Sequence, residues 1–105
     1  MKPLDLNFIC QVLHLPMPSE NAAVKRIVTD SRDIQSGDVF FALTGERFDA
    51  HDFVADVLAK GALAAVVSRE DCAALPRALK VADTLQALQT LAQAWRENVN
   101  PFVFG

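Results

Sequence analysis

Apolar and polar positions alternate along this chain in segments that read as short helices and strands in turn. Leu6, Ile9, Cys10 and Leu13 recur at helical spacing behind Asp5, a plausible N-cap, and Pro16 with Pro18 ends that helix. Val24 to Asp30 alternates Val24, Arg26 and Val28 against Lys25, Ile27 and Thr29, the pattern of a strand. Ser36-Gly37-Asp38 is a turn signal, and Val39-Phe40-Phe41-Ala42-Leu43 is a continuous apolar run suited to a strand buried on both faces. Phe53, Val57 and Leu58 then fall on one helical face, with Gly61 where a left-handed helix terminus belongs. Ala64 to Val67 reads as a strand, so this stretch is a strand-helix-strand unit joined by a right-handed parallel crossover.

Further on, Asp71 to Leu75 predicts a helical turn closed by Pro76, and Leu79 to Ala82 an edge strand. Asp83-Thr84 caps a helix whose stripe is Leu85, Leu88, Leu91, Ala92 and Trp95. Pro101 to Gly105 is one more apolar strand, with no turn, cap or polar tail behind it, which is how a chain cut in mid-strand looks. The expected architecture is α/β: one small domain over residues 1–105, with a mixed sheet flanked by about three helices.

Composition narrows the class. The chain has 105 residues, 51% of them apolar, and a formal charge of −3, as in an ordinary folded domain. Its ten basic residues form no run or stripe, which argues against nucleic acid as a partner. No segment approaches the roughly 20 apolar residues of a membrane span, and the first residues lack the features of a secretory signal. Cys10 and Cys72 stand apart from each other and from any metal-ligand spacing, and read as reduced buried thiols of a cytoplasmic protein.

Chemistry concentrates between Thr29 and Phe53, where two polar clusters flank the second strand. Thr29 and Ser31 offer hydroxyls and Arg32 a fork-shaped cation, unless Arg32 is simply a solvated charge. After Gly45, whose loop amides can face an anion, come Glu46, Arg47 and Phe48. Phe48 suits either stacking on a planar base or burial against the next helix. Asp49 can cap that helix, with Asp52 in its first turn. His51 fits a cap or surface role better than acid-base catalysis, because no nucleophile lies within motif distance. His14 has no spaced partner for a metal. The four glycines form neither GxxxxGK[ST] nor GxGxxG, so ATP or a dinucleotide has no such cradle here. The residue types alone point to a nucleotide-sugar or another anionic metabolite.

Thr-Asp-Ser-Arg at 29–32, Gly-Asp-Val-Phe-Phe-Ala-Leu at 37–43, Gly-Glu-Arg-Phe-Asp-Ala-His-Asp-Phe at 45–53 and Gly-Ala-Leu-Ala-Ala-Val-Val-Ser at 61–68 follow one another in the order seen in the N-terminal domain of the Mur ligases. The chain resembles that family strongly over Val24 to Arg69. The Gly45 to His51 wording is closest to the D-alanyl-D-alanine-adding branch. The diaminopimelate- or lysine-adding branch usually carries a different tripeptide after that glycine, and Asp-Gly where this chain has Asp49-Ala50.

The resemblance implies a domain that holds the UDP end of UDP-N-acetylmuramoyl-tripeptide (UDP-MurNAc-tripeptide) in cytoplasmic peptidoglycan precursor synthesis. It implies that Thr29 and Ser31 approach the nucleotide-sugar and that Glu46, Arg47 and Phe48 approach the uridine, with Arg32 and Gly45 beside them. Asp30, Asp49 and His51 shape the loops. It implies no cofactor in this stretch. ATP and Mg²⁺ act elsewhere in the parent ligase, whose central and C-terminal domains are partners of this one, and Phe102 to Gly105 resembles the strand that opens the central domain. This stretch alone would not catalyse ligation. The competing readings are the same domain of the diaminopimelate- or lysine-adding branch, a small protein-interaction domain whose polar loops are only turns and caps, and, least well supported, a free-standing enzyme.

Overall fold

The computed structural model describes residues 4–18, 20–45 and 49–94, and the backbone of residues 102–103. Five strands form one sheet in the order β4-β3-β2-β1-β5: β1 (Arg26–Val28), β2 (Asp38–Phe41), β3 (Ala64–Val67), β4 (Ala78–Lys80) and β5 (Phe102–Val103). Every neighbouring pair is parallel, with Val28 opposite Phe40, Phe41 opposite Val66 and Val66 opposite Leu79. The α/β class holds, but the sheet is parallel where a mixed one was expected. An apolar run marks burial on both faces and leaves strand direction open; here the connections carry the chain back to the same edge of the sheet each time.

Helices cover both faces. On one face α1 (Leu6–Val12) and α4 (Thr84–Ala94) pack against Ile27, Val39, Phe41, Ala64 and Val66. On the other, α2 (Val54–Ala59), α3 (Glu70–Ala73) and the 3₁₀ turn Ala50–Phe53 meet Phe40, Ala42, Ala65 and Val67. Alternate residues of β2 and β3 therefore feed two separate cores. The connections from β1 through β4 lie on the α2 and α3 face, the first of them by way of Ile34. The chain then reverses direction across the sheet, and α4 crosses on the opposite face to reach β5. Reversing both direction and face keeps a single handedness, as parallel crossovers require.

Local signals set the boundaries. Asp5 Oδ1 accepts from the Phe8 N–H at 2.8 Å and caps α1. Gly61, at φ 111°, ends α2: its N–H donates to the Leu58 carbonyl and that of Ala62 to Val57. The same double bond closes α1 through His14 N–H to the Gln11 carbonyl and Leu15 N–H to that of Cys10, but with a histidine at φ 59°. The stripe of α4 centres on Thr84, Ala87, Leu88 and Leu91, so Leu85, expected in it, is 52% exposed. Phe53 stands at the cap of α2 and is 40% exposed, and Val54 takes the place expected for it. Trp95 lies outside the described residues. Both cysteines are free and buried.

Because His14 holds a left-handed conformation with an exposed side chain, His14→Gly should relieve the backbone cost and stabilise the chain by about 0.5–1 kcal/mol. Chemical denaturation measures this; an unchanged or lower stability would contradict it.

Candidate functional site

Parallel strands present all their C-terminal ends at one edge, where chain leaves the sheet and backbone groups turn outward. Three adjacent ends are polar here: Thr29 to Arg32 after β1, Thr44 to Asp49 after β2, and Ser68-Arg69 after β3. The chain runs outward from β1 to β4 and returns to β5 on the other side of β1. Thr29 to Arg32 therefore leave the sheet at its topological switch point, where open α/β sheets form ligand crevices.

In the first cluster Thr29, Asp30 and Ser31 are half-buried. Asp30 accepts from the Arg32 N–H at 2.9 Å, and its two oxygens take Arg32 Nε at 3.1 Å and Nη2 at 3.0 Å. The side-chain hydrogen bonds from Arg32 hold the Asp30 carboxyl below the usual carboxylate range, and the same bonds raise the guanidinium. Arg32 is 87% exposed and locally neutralised by Asp30. Lys60 Nζ reaches the Ser31 carbonyl at 3.4 Å and ties this loop to the end of α2.

The second cluster is closed at its neck. Thr44 and Asp49 form an antiparallel bridge, the Ala50 N–H donates to the Leu43 carbonyl at 3.0 Å, and the Thr44 hydroxyl donates to Asp49 at 3.3 Å. Gly45 is exposed beyond that neck, and Glu46, Arg47 and Phe48 lie outside the described residues. Asp49 caps the 3₁₀ turn by accepting from the His51 N–H at 2.9 Å, and it also takes His51 Nδ1 at 2.7 Å and Arg69 Nη1 at 3.1 Å. Partial burial pushes the Asp49 carboxyl up, but the His51 and Arg69 hydrogen bonds outweigh it and bring the group down to about 2.

His51 is not at the surface, as the sequence suggested, but only 3% exposed. The 3₁₀ turn rolls its ring inward, where Nε2 accepts from the Ser68 N–H at 2.9 Å. The Ser68 hydroxyl lies 3.4 Å from the same nitrogen, so Asp49, His51 and Ser68 stand in the order of a hydrolase triad. Sequence reading found no nucleophile because Ser68 is 17 positions away. The arrangement nevertheless cannot work as one. A general base needs its lone pair for the nucleophile's proton, and here the Ser68 backbone N–H already occupies it at the shorter distance. The pattern also fixes the tautomer: the proton sits on Nδ1, facing Asp49.

Arg69 and Ser68 were not singled out from the sequence. Arg69 binds Asp71 through Nε at 2.9 Å and Nη2 at 2.5 Å, and its Nη1 reaches Asp52 at 3.0 Å as well as Asp49. All three nitrogens are engaged by carboxylates, which raise the guanidinium and hold Asp71 down. The one sequence signal was an arginine two positions past a predicted strand with Asp71 two residues further on; Asp49 and Asp52 lie 20 and 17 positions away. Among the described residues no group of three or more His, Cys, Asp or Glu is placed to hold a metal.

A cleft of about 420 Å³ opens at the opposite edge of the sheet, between α1 and the starts of β3 and β4, lined by Leu6, Cys10, Ala64 and Leu79. Its lining is chiefly apolar. Its arginine, Arg77, is spent on the α2 terminus, donating to the Ala62 carbonyl at 2.6 Å and to Leu58 at 2.9 Å. The convergent polar side chains lie at the other edge.

Residues 23–96 match the family description "Mur ligase family, catalytic domain". The chain belongs to the Mur ligase family. The UDP-N-acetylmuramoyl-tripeptide--D-alanyl-D-alanine ligase of Haemophilus influenzae is 45% identical over 82 residues, 78% of this chain and 18% of that protein. Its counterpart in Escherichia coli is 37% identical over 99 residues, 94% of this chain and 22% of the relative. A diaminopimelate ligase from Aquifex aeolicus is 36% identical over 77 residues, 73% of this chain and 16% of its own length. A crystal structure of MurF from Acinetobacter baumannii superposes with a TM-score of 0.73 at 40% identity, covering 92% of this chain and 22% of that one. The chain thus spans about a fifth of the length of the curated Mur ligases it matches.

Two outcomes follow from the site's geometry. In the unfolded chain Asp49 titrates near 3.8 and in the folded one near 2, so its contribution is complete above about pH 4 and is lost as pH falls through 2. Unfolding curves of wild type and Asp49→Asn between about pH 5 and pH 2 should therefore converge on acidification; a gap independent of pH would contradict the assignment. A fluorophosphonate, which phosphonylates activated serines with loss of fluoride, should leave Ser68 unmodified, as read by intact mass. Stoichiometric labelling would show that His51 does activate it.

Proposed function

We propose that this chain is the N-terminal, UDP-sugar-recognising domain of an ATP-dependent ligase that joins D-alanyl-D-alanine to UDP-MurNAc-tripeptide in peptidoglycan precursor synthesis. The observation that carries the reading is a match to ligases of that name that is both long and close, 45% over 82 residues, with MurF as a structural neighbour, whereas diaminopimelate ligases reach 36% over 77 residues or 42% over only 50. The polar edge supplies the physical support. Thr29 and Ser31 meet the nucleotide-sugar at the switch point; Gly45, Glu46, Arg47 and Phe48 meet the uridine beyond the Thr44–Asp49 neck. Arg32 adds charge at the rim, and Asp30, Asp49 and His51 hold the loops.

ATP and Mg²⁺ do not fit the residues of this chain. It lacks a phosphate loop in its sequence, and the acids of its polar edge, Asp30, Asp49 and Asp52, are engaged by arginines rather than grouped for a cation. They belong to the remainder of the parent ligase; the MurF of Thermotoga maritima, solved in complex with ADP, matches this chain over 16% of its own length with a TM-score of 0.62 at 35% identity. The intact ligase works in the cytoplasm, where ATP is available. This chain's contribution is binding and orientation: a weak hold on the nucleotide end, since contacts from the other domains are absent and the loops lose conformational freedom on binding.

Titration of the chain with UDP and with UDP-MurNAc-tripeptide, followed by amide chemical shifts, should move signals of Thr29 to Arg32 and Gly45 to Asp49 at about millimolar ligand. No shifts, or shifts confined elsewhere, would sink the assignment. Ser31→Ala should leave stability within about 1 kcal/mol while weakening that binding, as thermal melting and the same titration would show.

A further inference from the structure

We propose that the Arg26–Asp38 pair is a positioning device for the rim, which holds Thr29 to Arg32 in one conformation from the starts of β1 and β2; that a ligand meets this rim rests on the function proposed above. The connection from β1 to β2 runs over residues 29–37, where turns stand in place of a helix. A parallel crossover ordinarily takes about a dozen residues or more, including a helix that pairs its own backbone. This shorter one must find partners elsewhere. Arg26 and Asp38 stand opposite each other in the sheet, buried Asp38 taking Arg26 Nε on Oδ1 at 3.0 Å and Nη2 on Oδ2 at 2.6 Å. From this fork two bonds reach the connection: Nη2 also donates to the Asp33 carbonyl at 2.9 Å, and Asp38 Oδ2 accepts from the Gln35 N–H at 2.8 Å. Nη1 lies 3.3 Å from the exposed Asp33 carboxylate. Asp33 passes the grip on, because its N–H donates to the Asp30 carbonyl at 3.2 Å and closes the turn that contains Ser31 and Arg32.

Other contacts hold the same stretch. Ile34 packs into the core under α2, the Lys25 N–H donates to the Gly37 carbonyl at 2.9 Å, and Lys60 Nζ reaches the Ser31 carbonyl at 3.4 Å. The first two place the second half of the connection, and the third is a long bond from an exposed lysine. Arg26 fixes the direction of the backbone between Ile34 and the rim turn. A planar fork can pair a carboxylate and reach a carbonyl together, whereas an ammonium lacks that geometry. A rim set in advance loses less freedom on binding, so the pair adds affinity without touching the ligand.

The test compares wild type with Arg26→Lys and with the double variant Arg26→Met, Asp38→Val, in which two apolar side chains replace the charges so that neither is left buried alone. In wild type the Gln35 amide should exchange slowly with solvent because Asp38 holds it, although Gln35 itself is exposed. Backbone order parameters of Ser31 and Arg32, measured without ligand below each variant's melting transition, should fall in both variants, while those of Asp52 and Phe53 keep their wild-type values. UDP affinity should weaken about threefold to tenfold in each. Four results overturn the proposal: a wild-type Gln35 amide that exchanges as in an unstructured chain, unchanged order at Ser31 and Arg32 in a folded variant, a loss of order shared equally by Asp52 and Phe53, or UDP affinity unaffected by a loosened rim. Wild type that fails to bind UDP overturns the functional reading instead, and the order parameters still decide the role of Arg26.

Discussion

Burial of β2 and β3 on both faces is the constraint from which the rest follows. Val39 and Phe41 need one apolar layer and Phe40 and Ala42 another, as do Ala64 with Val66 and Ala65 with Val67. A strand in that position cannot leave either face to water, so helices must cross on both sides. In a parallel sheet those crossings deliver every strand end to one edge. The polar loops after β1, β2 and β3 are neighbours because the core demands it. The bonds from His51 to Ser68 and from Arg69 to Asp49 fasten loops that the sheet has already set side by side.

At that edge, charge is used mostly for architecture. Arg32 is matched by Asp30, and Arg69 by Asp49, Asp52 and Asp71, so two of the arginines nearest the rim are neutralised within the fold. Buried Asp38 is likewise held by Arg26, through Nη2 at 2.6 Å, at the start of the same strands. What the described rim offers a ligand is therefore hydroxyl and backbone groups on fixed loops rather than a concentrated positive field. Such a surface can offer shape and hydrogen-bonding pattern, which is what the proposed nucleoside end of a sugar nucleotide would require.

The sequence was most legible where a single residue decides local geometry. Asp5 capping α1, Asp49 capping the turn before α2, and Gly61 ending α2 each act within a few positions, and each was readable as such. The two apolar runs announced buried strands because no exposed face interrupts them. The helix between β2 and β3 announced their parallel pairing, but the direction of the remaining strands was not readable, since an apolar run carries no record of which way its neighbour points. Leu85 was misplaced because Leu88 and Leu91 fit two helical faces, and only the sheet beneath selects the one containing Thr84 and Ala87. The site was half legible. Its two polar clusters stood out, but the bonds that join the second to the end of β3 span 17 positions from His51 to Ser68 and 20 from Asp49 to Arg69, distances at which sequence spacing says nothing. Burial of His51 was hidden for the same reason: its pocket is made by residues from another strand.

The central claim is that ligand recognition belongs to the C-terminal edge of the sheet, although an apolar cleft lies at the opposite edge. A crystal structure of the chain soaked with UDP tests it most directly. The account predicts uridine density against Thr29, Ser31 and the Gly45 loop, with the Asp49–His51–Ser68 bonds unchanged. Density in the cleft between α1 and β4, lined by Leu6, Leu79 and Arg77, with the polar edge empty, would contradict it.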